Sequence, residues 1–153
     1  MKYLELKVPP LIQIIIIGIL MIVASGYLPK VSIHPWIRVA SSAVTLMAGM
    51  YFCFSGVLEF RRHKTTVDPR YPDNVSKFVD SGIYTLSRNP MYVGFALILI
   101  SIVFFLSSPV LLLGVIAFVM YMNRFQIEPE EVHLSEAFGE RYEAYKQKVR
   151  RWL

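Results

Sequence analysis

A single cysteine, Cys53, stands in this chain of 153 residues. One thiol excludes a disulfide framework and a cysteine-built metal site, and its position inside an apolar run gives it a helix-packing role. The three histidines, His34, His63 and His133, are isolated from one another. There is no glycine-rich phosphate loop, no spaced Cys and His set and no nucleophile elbow, so no metal is implied. Charge is missing from the interior of the long apolar runs, which argues against an ion channel or a proton-coupled transporter. Internal repeats are absent as well.

What is abundant is apolar. The hydrophobic share is 55%, above the roughly 45–50% of an ordinary soluble domain. Because lipid offers the backbone no hydrogen-bond partners, a spanning segment must be helical and about 20 residues long. Runs at about 11–28 and 37–58 qualify directly. Two shorter ones, about 90–106 and 109–127, are separated by Ser107, Ser108 and Pro109 and read as a tight helical hairpin. The last reaches bilayer length only by continuing through Asn123, Arg124 and Gln126, so its inner end carries polar groups at headgroup depth. Lys2 and Lys7 ahead of the first run resemble a signal peptide, but the run is bulky and is followed by further spans rather than a small-residue cleavage site.

The expected fold is therefore an all-α integral membrane protein of about four transmembrane helices with a C-terminal amphipathic cytoplasmic helix, one domain over 1–153. With the N-terminus inside, fourteen Lys and Arg fall on inner segments and only Lys30 and Arg38 outside, which sets both termini in the cytoplasm. The net charge of +5 then answers to anionic inner-leaflet lipid, and nucleic acid need not be invoked. No obligate protein partner is evident.

The long inner segments, 60–89 and 128–153, are where function is expected. Asp68 to Asn74 carries two prolines and reads as an extended or turning stretch. Pro90 suits the first turn of the third span, and Tyr84, Arg88, Asn89 and Tyr92 crowd that helix start. Two readings stand side by side: an interfacial aromatic and arginine belt with an Asn cap, or an anion site on exposed helix N–H groups. Arg124 and Glu128 are four apart and share a helix face, with Glu130 and Glu131 directly after Pro129. These glutamates either complement a helix dipole and pair with basic residues, or hold the hydroxyls or ammonium of a polar cofactor. Phe138, Tyr142, Tyr145, Val149 and Trp152 recur at helical spacing, an amphipathic helix that lies on the leaflet or caps the bundle, with Trp152 at the interface.

Over residues 65–151 two blocks carry a family resemblance. Gly82, Tyr84, Arg88, Asn89, Pro90, Tyr92 and Gly94 resemble a G-x-Y-x-x-x-R-[HN]-P-x-Y-x-G pattern. Arg124, Glu128, Glu130, Glu131, Leu134, Phe138, Gly139, Tyr142 and Tyr145 resemble R-x-x-x-E-x-E-E-x-x-L-x-x-x-F-G-x-x-Y-x-x-Y. Together they are similar to the isoprenylcysteine carboxyl methyltransferase and phospholipid methyltransferase superfamily of membrane enzymes. The resemblance implies S-adenosylmethionine bound at the cytoplasmic face against Ser76, Lys77, Phe78, Val79, Tyr84, Arg88, Asn89, Pro90, Met91, Tyr92 and Glu128. It implies Arg124 as the substrate-contacting residue, with Arg124 and Glu131 as the catalytic pair and no metal. If the acceptor is a carboxylate, Arg124 orients it; if an amine, Glu131 or Glu130 takes the proton. The acceptor is expected to be a lipophilic molecule entering from the bilayer, in a bacterial inner membrane. Asn89 stands where the carboxyl methyltransferases usually carry His, a substitution commoner in the phospholipid and broader bacterial branches, and the chain reads as the family's minimal core. A nicotinamide-dinucleotide reductase of sterol-reductase-like architecture and a noncatalytic membrane scaffold are the competing classes.

Overall fold

The structure, a computed structural model, describes residues 5–63 and 78–153. Four helices open on a proline in their first turn: α1 (Pro10–Ala24), α2 (Pro35–Arg62), α3 (Pro90–Leu106) and a 3₁₀ turn at Pro109–Leu111 that runs into α4 (Leu112–Met122). Proline suits that position because its fixed φ is already helical and its missing N–H would have no partner there. A π-helical segment, Asn123–Ile127, continues α4 into α5 (Glu128–Phe138), and α6 is Glu140–Lys148. Among the described residues there is no strand.

By length and composition, two helical stretches are apolar and long enough to cross a bilayer: α2, of 28 residues, and the continuous run Pro109–Phe138, of 30. α1 and α3 are apolar but shorter, at 15 and 17 residues. The fourth helix thus runs well past the expected end at 127, and it does so through a bulge with an identifiable cause. Pro129 has no N–H to donate to the carbonyl four residues back, that of Phe125. The freed Phe125 oxygen is taken instead by the backbone N–H of Leu6 at 3.1 Å, so the N-terminal segment is tied to the bulge.

α3 is the inner helix. Its Leu99 is fully buried with Phe118 and Met122 of the fourth helix, and Ile14 and Met21 of α1 join the same core. The outward faces of α1, α2 and α4 are lined by exposed Ile, Leu, Val, Met and Phe. In lipid such faces are at home, and helix association rests on close packing rather than on burial from water. Among the described residues the packing of α2 on α3 is the most extensive, and small residues make it possible. A Cβ added to Gly94 would meet Cys53 Sγ and lie 2.6 Å from the Gly49 oxygen, and one on Gly56 would lie 2.6 Å from Met91 Cγ.

The C-terminal region departs from the expected single amphipathic helix. Gly139, at φ +51°, breaks it between α5 and α6, a conformation that Gly adopts without the Cβ penalty. Tyr142 and Tyr145 pack on Phe78, with Leu134, Phe138 and Val149 around them. Trp152 lies beyond the end of α6 rather than on it. The chain leaves α6 at Val149, turns back, and Trp152 Nε1 donates to Asn123 Oδ1 at 2.9 Å while its ring packs on the main core.

Candidate functional site

The polar end of the bundle is organised by a turn, a clasp and an inward-turned acid. The turn begins where Ser81 Oγ donates to Glu59 Oε1 at 2.6 Å. Glu59, at the end of α2, is only 7% exposed. Gly82 follows at φ +57°, and a Cβ there would sit 2.8 Å from the Glu59 carboxyl carbon, so only glycine serves. The 3₁₀ turn Gly82–Thr85 then buries Ile83 and Tyr84. The Tyr84 ring meets Phe60 edge-on at 5.4 Å, and its carbonyl accepts from Tyr145 Oη at 2.6 Å. Burial pushes the Tyr84 phenol well above its usual range, with nearby Tyr145, Glu130 and Glu59 adding to the effect.

The clasp holds the tail to the start of α3. Arg88 Nη1 donates to the carbonyls of Lys146 and Val149 at 3.1 and 3.0 Å, and Nη2 to Glu131 Oε1 at 2.7 Å. Arg151 grips the same carboxylate from its other side, at 2.7 Å to Oε2. Asn89 Nδ2 and Ser87 Oγ both donate to the Arg151 carbonyl. The backbone N–H of Arg88 goes to the Arg150 oxygen, and that of Asn89 to Ser87 Oγ. The backbone N–H groups of Arg88 and Asn89, just ahead of this helix start, are therefore engaged by the tail and by Ser87. Burial pulls Glu131 upward, but the hydrogen bonds and charges of Arg151 and Arg88 outweigh it and hold the carboxylate below its ordinary range.

The third element is Glu130, a half-buried residue whose carboxyl turns inward. Tyr92 Oη and Gln126 Nε2 both donate to its Oε1, each at 2.7 Å. Burial pushes its pKa up to about 7, against the pull of those two bonds, and the neighbouring Glu131 charge adds to the rise. Two adjacent glutamates are thus driven apart, one held charged and the other poised near neutrality. Such divergence separates an ion-pair carboxylate from a candidate proton acceptor.

Arg124 and Glu128 do lie on one helix face, paired at 3.1 Å, but both are substantially exposed, and Glu5 approaches Arg124 at 3.9 Å. Of the expected cofactor residues, Tyr84, Arg88, Asn89, Pro90 and Tyr92 gather around the clasp and the inward-turned acid. Met91 lies against Gly56 and accepts from Cys53 Sγ through its carbonyl. Phe78 belongs to the aromatic cluster with Tyr142 and Tyr145, and Val79 packs with Ile83 and Tyr84. Ser76 and Lys77 lie outside the described residues. Two participants went unnoticed in the sequence, Glu59 and the anchoring role of Arg151, and Gln126 was read only as a polar residue at the inner end of the fourth helix. Gln126 was within reach, since it stands four residues before Glu130 on one helix face. Among the described residues no group of three His, Cys, Asp or Glu is placed to hold a metal ion.

An apolar helical bundle with two helices long enough to cross a bilayer, and with a cluster of ionisable groups at one end, is the build of a membrane protein. The model of the phospholipid methyltransferase (PEMT) family matches residues 37–141, which includes α2 from Ile37 onward and both motif blocks up to Arg141. The chain belongs to that family of membrane methyltransferases. A Haemophilus influenzae protein described only as uncharacterized is 48% identical over 63 residues, 41% of this chain and all of that protein. Two rice proteins, from the indica and japonica subspecies, are each described as a probable protein-S-isoprenylcysteine O-methyltransferase. They are 37% identical over 76 residues, 48% of this chain. The chain spans 38% of the length of those rice relatives. No solved structure matches the chain.

Proposed function

We propose that this protein transfers a methyl group from S-adenosylmethionine to an amine on a lipophilic, membrane-resident acceptor, with Glu130 as the proton acceptor. The observation that carries this reading is the Glu130 carboxyl, which accepts from Tyr92 and Gln126 at the polar end of the bundle and whose pKa is raised to about 7. A carboxylate acceptor needs no base, whereas an ammonium must lose a proton before its nitrogen can attack, and a base titrating near neutrality is suited to take it. Glu131, held charged between two arginines, is the poorer base and serves to position the tail.

The residues present fit the cofactor. Arg88 Nε is buried with no hydrogen-bond partner, a donor suited to a carboxylate, and Glu128 is an accessible acceptor for ribose hydroxyls or the ammonium group. Tyr84 and Tyr92 supply aromatic surface of the kind that attracts a sulfonium cation. When bound, S-adenosylmethionine supplies an electrophilic methyl carbon, so the protein needs no covalent residue and acts by alignment and exclusion of water. Glu130 Oε2, which neither the Tyr92 nor the Gln126 bond engages, would take the ammonium proton first and so free the nitrogen lone pair for attack on that carbon. Arg124 orients the acceptor from the exposed edge of the fourth helix. The arrangement supports four spans with the Glu130 end and both termini facing the cytoplasm of a bacterial inner membrane, since fourteen of sixteen Lys and Arg then lie inside.

The test is methyl transfer from labelled S-adenosylmethionine to a membrane lipid extract by detergent-purified protein, with cofactor binding followed by calorimetry. Glu130→Gln should retain cofactor binding yet lower turnover by about 100-fold or more, and Glu128→Ala should weaken binding. Turnover by Glu130→Gln at the wild-type rate would remove Glu130 from the chemistry. Absence of cofactor binding by folded wild-type protein would overturn the methyltransferase reading of this chain.

A further inference from the structure

At the opposite end of the bundle from Glu130, the connection between α1 and α2 is strapped to the α3–α4 turn. Val31 N–H donates to the Ser107 oxygen at 2.8 Å, and Ser108 Oγ to the Pro29 oxygen at 2.9 Å. Between the strap and the end of α3 lies a cleft of about 330 Å³, lined by Lys30, Ser32, Arg38, Phe105 and Ser107 among others. That size falls at the lower end of the roughly 300–1,000 Å³ typical of small-molecule sites.

Its charge is one-sided. Lys30 and Arg38 are the only Lys or Arg between residues 8 and 60, and none of the eleven acids lies in 6–58 or in 81–127. The Arg38 guanidinium stands over the Phe105 ring at 5.9 Å. Its Nε is buried with no hydrogen-bond partner. A buried guanidinium N–H without an acceptor is costly, and the fork formed by Nε and Nη matches two oxygens of a phosphate. Lys30, a flexible point charge on the strap, adds a second cation to the same cleft.

The surroundings select the source of that phosphate. Tyr27 and Trp36 flank the cleft in sequence and are 89% and 65% exposed, as aromatic side chains at the level of lipid headgroups are. Val31 and Phe105, both in the lining, are themselves more than half exposed, so apolar surface continues outward from the charged pocket. We propose that this cleft binds the phosphate of a membrane phospholipid, with Arg38 and Lys30 on the headgroup and its chains along the exposed apolar flank. At the helical rise of 1.5 Å per residue, Tyr92 and Phe105 are roughly 20 Å apart along α3. The bound lipid is therefore distinct from a methyl acceptor at Glu130, and it braces the α1–α2 strap against α3.

The test uses the full chain in dodecyl maltoside, a detergent without phosphate. Short-chain dihexanoyl phosphatidylglycerol is titrated while the thermal unfolding midpoint is followed, beside dihexanoylglycerol, which lacks the phosphate, and inorganic phosphate. The phosphatidylglycerol should raise the midpoint saturably, and dihexanoylglycerol should not. The apparent affinity should fall at least tenfold in Lys30→Gln/Arg38→Gln, partly in Arg38→Lys, and hardly at all in Arg61→Gln/Lys148→Gln, two exposed cations at the other end. Lys30→Gln alone, on an exposed residue, supplies a folded variant if the pair fails to fold. An unchanged affinity in the outer variants, or an equal loss in the inner pair, would overturn the site. Inorganic phosphate acting at the same concentrations and with the same Arg38 dependence would overturn the lipid and leave a soluble anion.

Discussion

Replacing Glu130 by Gln should change the pH dependence of stability in a way that isolates one carboxyl. Burial raises its pKa from an ordinary 4.5 to about 7 in the folded protein, so the folded state binds this proton more tightly than the unfolded chain. Stability from this group is present in full below pH 4.5 and is lost as pH rises toward and through 7. Integrated between pH 5 and pH 8, the loss is about 2.5 kcal/mol. Glutamine keeps a carbonyl oxygen for the Tyr92 and Gln126 bonds but cannot titrate. The midpoint of the wild-type protein, followed by thermal unfolding in detergent, should therefore fall relative to Glu130→Gln by about 5–10 °C over that window. Other groups titrating in the window are common to both proteins and cancel in the difference. Glu131 has the opposite sign, its stabilisation present above its unfolded pKa and lost as pH falls through a folded value that lies below 4.5, outside the window. A wild-type minus variant difference that stays flat from pH 5 to 8 would refute the assignment of a neutral, inward-turned Glu130.

Gly94→Ala should destabilise the protein by about 1–3 kcal/mol, because its Cβ would meet the Gly49 oxygen at 2.6 Å and force α2 away from α3; an unchanged unfolding midpoint would contradict that backbone approach. Arg88→Gln should cost about 2–4 kcal/mol, since it strips the Lys146 and Val149 carbonyls of a donor and leaves Glu131 on Arg151 alone. The released tail should be cut by trypsin at Lys146, Lys148, Arg150 or Arg151 at least tenfold faster, and cleavage at the wild-type rate would mean that Arg88 does not hold it.

Two of the helices appear where the apolar runs put them, whereas α1 stops at Ala24, four residues short of the expected end at 28. α3 has the expected limits, and α2 extends the 37–58 run by two residues at one end and four at the other. Prolines mark the starts because their effect on backbone geometry is local. The two motif blocks were equally legible, since they depend on residue type and spacing, and the family match covers both as far as Arg141. Long-range pairing was not legible. Arg88 and Glu131 are 43 residues apart, and nothing in their spacing says that Arg88 turns to the tail, or that Trp152 leaves the amphipathic stripe to reach Asn123. The break at Gly139 was visible as a glycine, but a helical pattern that continued across it hid the turn.

What the sequence by itself determined is the all-helical build, the two blocks of polar residues at one end and the charge imbalance between the ends. Each follows from local composition and from the requirement that an apolar backbone satisfy its own hydrogen bonds. Only the tertiary structure decided which of two adjacent glutamates stays charged. Glu131 meets two arginines brought in from the start of α3 and from the tail, whereas Glu130, one residue earlier, turns inward to Tyr92 and Gln126. Desolvation and ion pairing act over a few ångströms of folded space, so neighbours in the chain acquire opposite protonation behaviour only once the helices are packed.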